Sequence, residues 1–201
     1  EEHGDYGNSD SEFQWIIDPL DGTTNFLHGF PHFAVSIALA INGKLQHGVI
    51  YDPMKQELFA ASKGDGATLN NRRIRVTSKV STEGALLGTG FPFRAKHHFP
   101  AYKKMFNTFF DSASDLRRAG SAALDLAYVA SGRLDGFWEI GLQPWDMAAG
   151  ALIIREAGGI VGDFGGNENY LESGNIVTAN PKLFADMIRK LQPHLTADLK
   201  A

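Results

Sequence analysis

Between His32 and Pro53 the chain reads "HFAVSIALAINGKLQHGVIYDP", two apolar runs joined by Asn42-Gly43. Both residues of that pair accept positive φ, and a two-residue loop of that kind matches the right-handed twist of adjacent antiparallel strands. The hairpin constrains what surrounds it. "FQWIID" before it is another short apolar run suited to a strand, and "ELFAASKGDGATLNNRRIRV" after it continues with short strands broken by Gly-Asp-Gly and Asn-Asn. Residues 1–80 are therefore expected to form an antiparallel meander subdomain whose edges need helices to cover them. The opening "EEHGDYGNSDSE" carries no methionine and no signal-like pattern. It reads as a sequence entered midway, with covering helices expected upstream.

From "STEGALLGTGF" onward the pattern changes. "AYKKMFNTFFDSAS" places Tyr102, Met105, Phe106 and Phe109 or Phe110 at helical spacing. "GSAALDLAYVASGRLDG" offers Ser121 as an N-cap and Gly132 as a stop, with Leu124 and Tyr128 four apart on one face. "PWDMAAGALIIREAGG" is expected to start a helix at Asp146 and stop it at Gly158-Gly159. Strands at "GTGF", "DGFWEI" and "NIVTAN" alternate with these helices. The fold class is thus α/β (mixed α+β), with a layered second subdomain over residues 81–201 and a boundary near Val80.

Composition removes several function classes. A formal charge of −4 over 201 residues and a pI near 6.0 give no field that attracts nucleic acid, and no apolar run approaches the length of a bilayer span. The chain has no cysteine, which excludes a thiolate nucleophile, a disulfide framework and cysteine-bound zinc, and fits a reducing compartment such as the cytoplasm.

Chemistry concentrates in "WIIDPLDGTTNF", residues 15–26. Asp18 ends an apolar strand and Asp21 follows Pro19, which fixes φ and is expected to stop the ladder, leaving the Leu20 carbonyl unpaired between two carboxylates. Two carboxylates and a carbonyl make a hard-cation site of the kind magnesium prefers. Gly22, Thr23 and Thr24 are small residues able to open a helix whose N–H groups face an anion. Asp-Gly also serves as an ordinary turn former. In "QPWDMAAG", Asp146 stands before a small-residue face, Ala148, Ala149 and Gly150, that admits another backbone; alone, it reads as an N-cap. Glu1-Glu2 alone reads as a solvated acidic end.

Taken together and in this order, "WIIDPLDGTTNF" and "PWDMAAGALIIREAGG" resemble the magnesium-dependent inositol monophosphatase family, and the leading "EE" matches the glutamate pair of that family's first motif. The likeness runs essentially from end to end. "ALLGTGFPFRAKH" and "RRAGSAALDLAYVASGRLDGFWEIGL" bring it nearest to the bacterial SuhB-type branch. The resemblance implies a layered αβαβα sugar-phosphatase fold of the inositol monophosphatase and fructose-1,6-bisphosphatase kind. It implies two or three Mg2+ per site: one held by Glu1, Asp18 and the Leu20 carbonyl, another by Asp18, Asp21 and Asp146, and a weakly held third near Glu1. Phosphate would lie against Gly22 and Thr23, with the Thr23 hydroxyl orienting a metal-activated water. Glu139 would accept a hydroxyl of the alcohol, with Gly120, Ser121 and Ala122 as the adjacent wall and Asp146 beside it.

Further implications are hydrolysis of a small phosphate monoester, first of all myo-inositol 1-phosphate, lithium inhibition, and a homodimer. The family's carboxylate that helps the threonine activate water comes from an amino-terminal region and has no counterpart in these residues. Gln143 departs from the basic residue that SuhB-type relatives tend to carry. The same branch implies a second, non-catalytic role, contact with a Nus factor and RNA polymerase in transcription antitermination. "NNRRIRV" and Arg117-Arg118 are the notable basic clusters, and solvated or ion-paired surface is the plainer account of both. A haloacid-dehalogenase-type phosphatase is the rival enzyme. That family spaces its aspartates two apart, against three for Asp18 and Asp21. His28 and His32 are read as loop or surface residues, because Gly29 and Pro31 break the helix a paired metal site would need; Lys96 to His98 are read as a rim.

Overall fold

The computed structural model describes residues 11–200, so Glu1 and Glu2 lie outside the described residues. The first sheet runs in chain order through β1 (Phe13–Asp21), β2 (Ala34–Ile41), β3 (Lys44–Asp52), β4 (Glu57–Ser62), β5 (Gly66–Leu69) and β6 (Arg72–Arg73). Every neighbouring pair is antiparallel. Asn42 and Gly43 both take positive φ, 49° and 72°, closing the β2–β3 hairpin as the sequence predicts; Asn70 and Asn71, at 46° and 63°, repeat the device between β5 and β6.

The second sheet contains β7 (Leu86–Thr89), β8 (Asp115–Arg117), β9 (Gly136–Glu139), β10 (Ile160–Gly162) and β11 (Ile176–Ala179) in the order β10-β11-β9-β7-β8. β7 is parallel to both β8 and β9, while β11 is antiparallel to β9 and β10. β7, β9 and β11 match strands expected from the sequence, whereas β8 and β10 are three-residue strands too short to carry an alternation of their own.

Among the described residues five α-helices connect these strands, α1 (Thr23–Leu27), α2 (Phe99–Phe110), α3 (Ala122–Ala130), α4 (Pro144–Glu156) and α5 (Tyr170–Ser173), and a sixth, α6 (Pro181–Leu191), follows β11. α3 and α4 lie between the sheets. The period of two along each strand decides which core a residue joins: Phe137 and Ile176 pack with α3 and α4, while their neighbours Trp138 and Val177 pack with α2 and α6. The described residues therefore stack as sheet, helices, sheet, helices. They supply four of the five expected layers; an outer helical layer on the first sheet is not among them.

α4 is the central element, with Asp146 through Ile154 all buried. Its small-residue face admits close neighbours, as the sequence suggests. A Cβ on Gly48 of β3 would stand 2.9 Å from the Ala149 carbonyl oxygen, and one on Gly150 would stand 2.6 Å from Leu126 Cβ on α3. Any larger residue at 48 must push a helix backbone away. The start of α4 differs from expectation. Pro144 occupies the first turn and Gln143 is the N-cap, so Asp146 lies inside the helix and completes a capping box with Gln143. Ser121 does cap α3, accepting the Leu124 N–H.

The faces of the first sheet are treated differently. Ala34, Ser36, Ala38 and Ala40 of β2 are buried on the α4 side, and Ser36 Oγ donates to the Trp145 carbonyl at 3.2 Å. On the other side Phe13, Trp15 and Ile17 of β1 are 51%, 62% and 49% exposed. Among the described residues no helix is long and apolar enough to cross a membrane.

Candidate active site

Asp18 and Asp21 are three residues apart on one strand, and in a regular strand an odd separation sends two side chains to opposite faces. β1 avoids this. Asp18 pairs with Ser36 and Asp21 with Ala34, so three steps on β1 are matched by two on β2, and the register shifts between the aspartates. The extra residue acts as a bulge that re-aims Asp21 to the side of Asp18. Pro19 thus does not end the strand, as expected from the sequence, but sits in the irregular stretch that redirects it.

Asp146 approaches from α4, and oxygen atoms of Asp18, Asp21 and Asp146 lie within 4.8 Å of one another. All three are nearly inaccessible, at 9%, 7% and 3% exposure. Each is oriented by bonds to the backbone. Asp18 Oδ1 accepts the Leu20 N–H at 2.9 Å. Asp21 Oδ2 accepts the Ser121 hydroxyl and, at 2.9 Å, the Ala123 N–H at the start of α3. Asp146 Oδ2 accepts the Gln143 N–H and Arg94 Nη1, both at 2.8 Å. The Leu20 carbonyl is not unpaired: it accepts the Thr23 hydroxyl at 2.9 Å, which leaves it one further lone pair.

The turn after β1 needs its glycine twice over. Gly22 has φ 87°, in the left-handed region, and a Cβ there would stand 3.0 Å from the His32 carbonyl oxygen and 3.3 Å from that of Gly120. Asn25, unnoticed in the sequence, ties these segments together: its Nδ2 donates to His32 at 2.8 Å, Ala119 at 3.0 Å and Gly120 at 3.3 Å, all carbonyl oxygens. His32 is in a loop as expected but is buried, 8% exposed, and its Nε2 has no hydrogen-bond partner. Its carbonyl, which supports the Gly22 turn, explains why that loop folds inward.

These segments enclose a cavity of about 500 Å3. Gly22, Thr23, Gly120, Ser121, Ala122 and Glu139 line it together with the three aspartates. Glu139 enters from the end of β9 into space that only a glycine leaves open: a Cβ at Gly90 would coincide with its carboxyl, 2.1 Å from Oε1. Asp125, Arg94 and Arg118 also line the cavity. Asp125 and Arg94 carry no signal in the sequence, and Arg118, expected there as part of a basic surface cluster, faces the cavity instead. Arg118 stacks over Phe91 and Phe93, 5.2 and 5.3 Å from their centroids.

Five carboxylates against two guanidiniums shape the electrostatics. Burial pushes Asp21 up to about 7, with Asp146 and Asp18 adding to the rise against the opposing Ser121 and Ala123 bonds. Glu139 is pushed up to about 8, by burial first and then by Asp146 and Asp21. Asp125 is raised well above the usual range by burial, with Glu139 and Asp21 contributing. Such a cluster holds its full negative charge only when a cation joins it. The convergent donors are all oxygen, which suits a hard divalent cation. The group is therefore able to bind metal; Glu1, the remaining expected ligand, lies outside the described residues.

The model of the inositol monophosphatase family matches residues 1–196. The Pseudomonas aeruginosa protein named Nus factor SuhB is 56% identical over 192 residues, covering 94% of this chain and 71% of that protein. The crystal structure of the extragenic suppressor protein SuhB from Bartonella henselae superposes with a TM-score of 0.92 at 47% identity, over 97% of this chain and 75% of that one. A Staphylococcus aureus inositol monophosphatase with inositol monophosphate bound gives 0.85 at 30% identity, over 96% and 74%.

Proposed function

The chain belongs to the inositol monophosphatase family, and from that premise we propose that it hydrolyses small phosphate monoesters, myo-inositol 1-phosphate first among them, with Mg2+ as cofactor. The observation that carries this reading is the meeting of Asp18, Asp21 and Asp146, from chain segments more than a hundred residues apart, at one point of a cavity. A solved relative that holds inositol monophosphate supports the choice of substrate.

Asp18, Asp21, Asp146 and the remaining lone pair of the Leu20 carbonyl are the residues that would hold two or three Mg2+, with Glu1. When bound, such ions lower the pKa of water and neutralise charge on a phosphoryl group. The chain's own residues do the rest. Thr23 donates its hydroxyl proton to the Leu20 carbonyl, so toward the attacking water its oxygen acts as an acceptor, and by taking a hydrogen from that water it would turn the water's own lone pair toward phosphorus. Backbone N–H groups of Gly22 and Thr23 receive the phosphate. Gly120, Ser121 and Ala122 wall the alcohol, and Glu139 accepts one of its hydroxyls, fixing the leaving oxygen for in-line displacement.

Phosphate release from myo-inositol 1-phosphate, with and without Mg2+, by the wild-type protein and by Asp146→Asn tests the reading. Activity that needs Mg2+ and is lost in the variant is expected. No release from a folded wild-type protein would overturn it. Transfer of solvent oxygen without a trapped aspartyl phosphate separates this chemistry from the haloacid-dehalogenase route. Millimolar lithium is expected to inhibit.

A second reading is supported by the name of the P. aeruginosa relative, a Nus factor: contact with the antitermination machinery independent of catalysis. Capture of a Nus factor by Asp21→Asn as efficiently as by wild type is expected if the roles are separate. Loss of capture in that variant alone would tie binding to the site.

A further inference from the structure

Asp146 is held by two bonds of different character. The Gln143 N–H belongs to the same helix turn, so that bond is local and stays with the fold. The Arg94 guanidinium arrives from 52 residues away, on the stretch between β7 and α2. The side chain of Asp146 is 4% exposed and that of Arg94 is 45% exposed. One end of the pair is fixed in the core while the other is a long arm partly in solvent. Arg94 and the Gly22–Thr23 turn line the same cavity.

A divalent cation on Asp146 would meet the positive charge already bonded to Oδ2. At such separations like charges repel strongly in a poorly hydrated site, so cation and guanidinium compete for the carboxylate. An anion in the cavity changes the balance by offering the guanidinium another partner.

We propose that Arg94 is an exchangeable counter-ion of Asp146, occupying this carboxylate when no divalent cation does and turning to the substrate's phosphate when one binds, so that cation and anion bind with positive coupling. The inference rests on the metal-dependent phosphatase reading and goes beyond it, because it assigns Arg94 a positioning role that sets the affinity and order of loading. By linkage, the factor by which phosphate tightens cation binding equals the factor by which the cation tightens phosphate binding.

Mn2+ binding, followed by the electron paramagnetic resonance of the free ion, provides a readout independent of turnover. It would be measured with and without inorganic phosphate for wild type, Arg94→Gln, Arg94→Lys, Asp146→Asn and the Arg94→Gln/Asp146→Asn pair, each shown by its melting curve to be folded. Without phosphate, Arg94→Gln is expected to bind Mn2+ about tenfold more tightly than wild type, the scale of one partly exposed charge-assisted bond. Phosphate is expected to tighten Mn2+ binding several-fold in wild type and Arg94→Lys and to have little effect in Arg94→Gln. In the Asp146→Asn background the Arg94 substitution is expected to change nothing. Equal Mn2+ affinity in wild type and Arg94→Gln, or phosphate coupling that survives the substitution, would overturn the proposal while leaving the phosphatase reading standing. Mn2+ binding unaffected by Asp146→Asn would overturn both.

Discussion

Trp15 and Trp138 stand on the two sheets at 62% and 0% exposure. Trp138 is enclosed between α2 and α6, with the Phe109 ring 4.5 Å from its own, whereas Trp15 faces outward on β1. Among the described residues the second sheet is therefore packed on both faces and the first on one. Yet Asp18 and Asp21 come from the first sheet and Glu139 from the second. Part of the candidate metal site thus rests on a sheet whose described packing is on one face, against α4 and α3, while Glu139, proposed to meet the alcohol, ends a strand packed on both faces. The difference teaches where disturbance should show: damage to the first sheet should reach the metal before the fold, and damage to the second should reach the fold before the metal.

The largest effect should follow from opening the enclosed core. Trp138→Ala is expected to cost roughly 3–5 kcal/mol in urea unfolding; a loss below about 1 kcal/mol would mean the second sheet is not the rigid member. Next comes Asp146→Asn, which should lower turnover more than about 100-fold, since even loss of an outer partner of a metal ligand costs about 10–100-fold, with the melting temperature nearly kept. Coincident collapse of stability and activity would erase the contrast between site and core.

Proton linkage sharpens the same contrast. Asp21 is raised from 3.8 to about 7 and Glu139 from 4.5 to about 8. A carboxyl with a raised folded pKa contributes stability that is complete below its unfolded pKa and lost as pH rises through the folded one. In chelator, the melting temperature should therefore fall from about pH 4 to about pH 8, and Mg2+ should oppose the fall by replacing the proton. A chelated Asp21→Asn protein with the same slope would remove Asp21 from the account. Ser121→Ala, which deletes both the α3 cap and a bond to Asp21, should cost about 0.5–2 kcal/mol. Smallest of all, Trp15→Ala in this chain should change stability by no more than about 0.5 kcal/mol. A cost near that of Trp138→Ala would show that the outer face of the first sheet is covered in solution.

What the sequence showed was set by how local each signal is. The hairpin at Asn42-Gly43, the Ser121 cap, the small face of α4 and the three aspartates are each written in a few adjacent residues. Arg94, Asn25 and Asp125 were not legible because their meaning lies in partners brought near only by the fold, such as Asp146 for Arg94 and the Gly120 carbonyl for Asn25. Gly90 was read as part of a strand, while its lack of a side chain is what admits Glu139. The start of α4 lies two residues before Asp146, an acidic first-turn residue that also lines the cavity, while Pro144 marks the true start. The helix-breaking neighbours of His32 say nothing about its burial, which the fold supplies.

The register shift in β1 has a consequence for how this protein can be lost. Removing one codon between Asp18 and Asp21 would restore an uninterrupted pleat, and nothing in the β1–β2 pairing would object. Asp21, now two residues from Asp18, would keep its company on that face but lose its lead into the Gly22 turn, shifting the turn by one step against Asn25 and α3. A three-nucleotide, in-frame deletion is thus expected to yield a chain that accumulates normally and fails only at its chemistry, a lesion visible to an activity screen and silent to any assay of abundance.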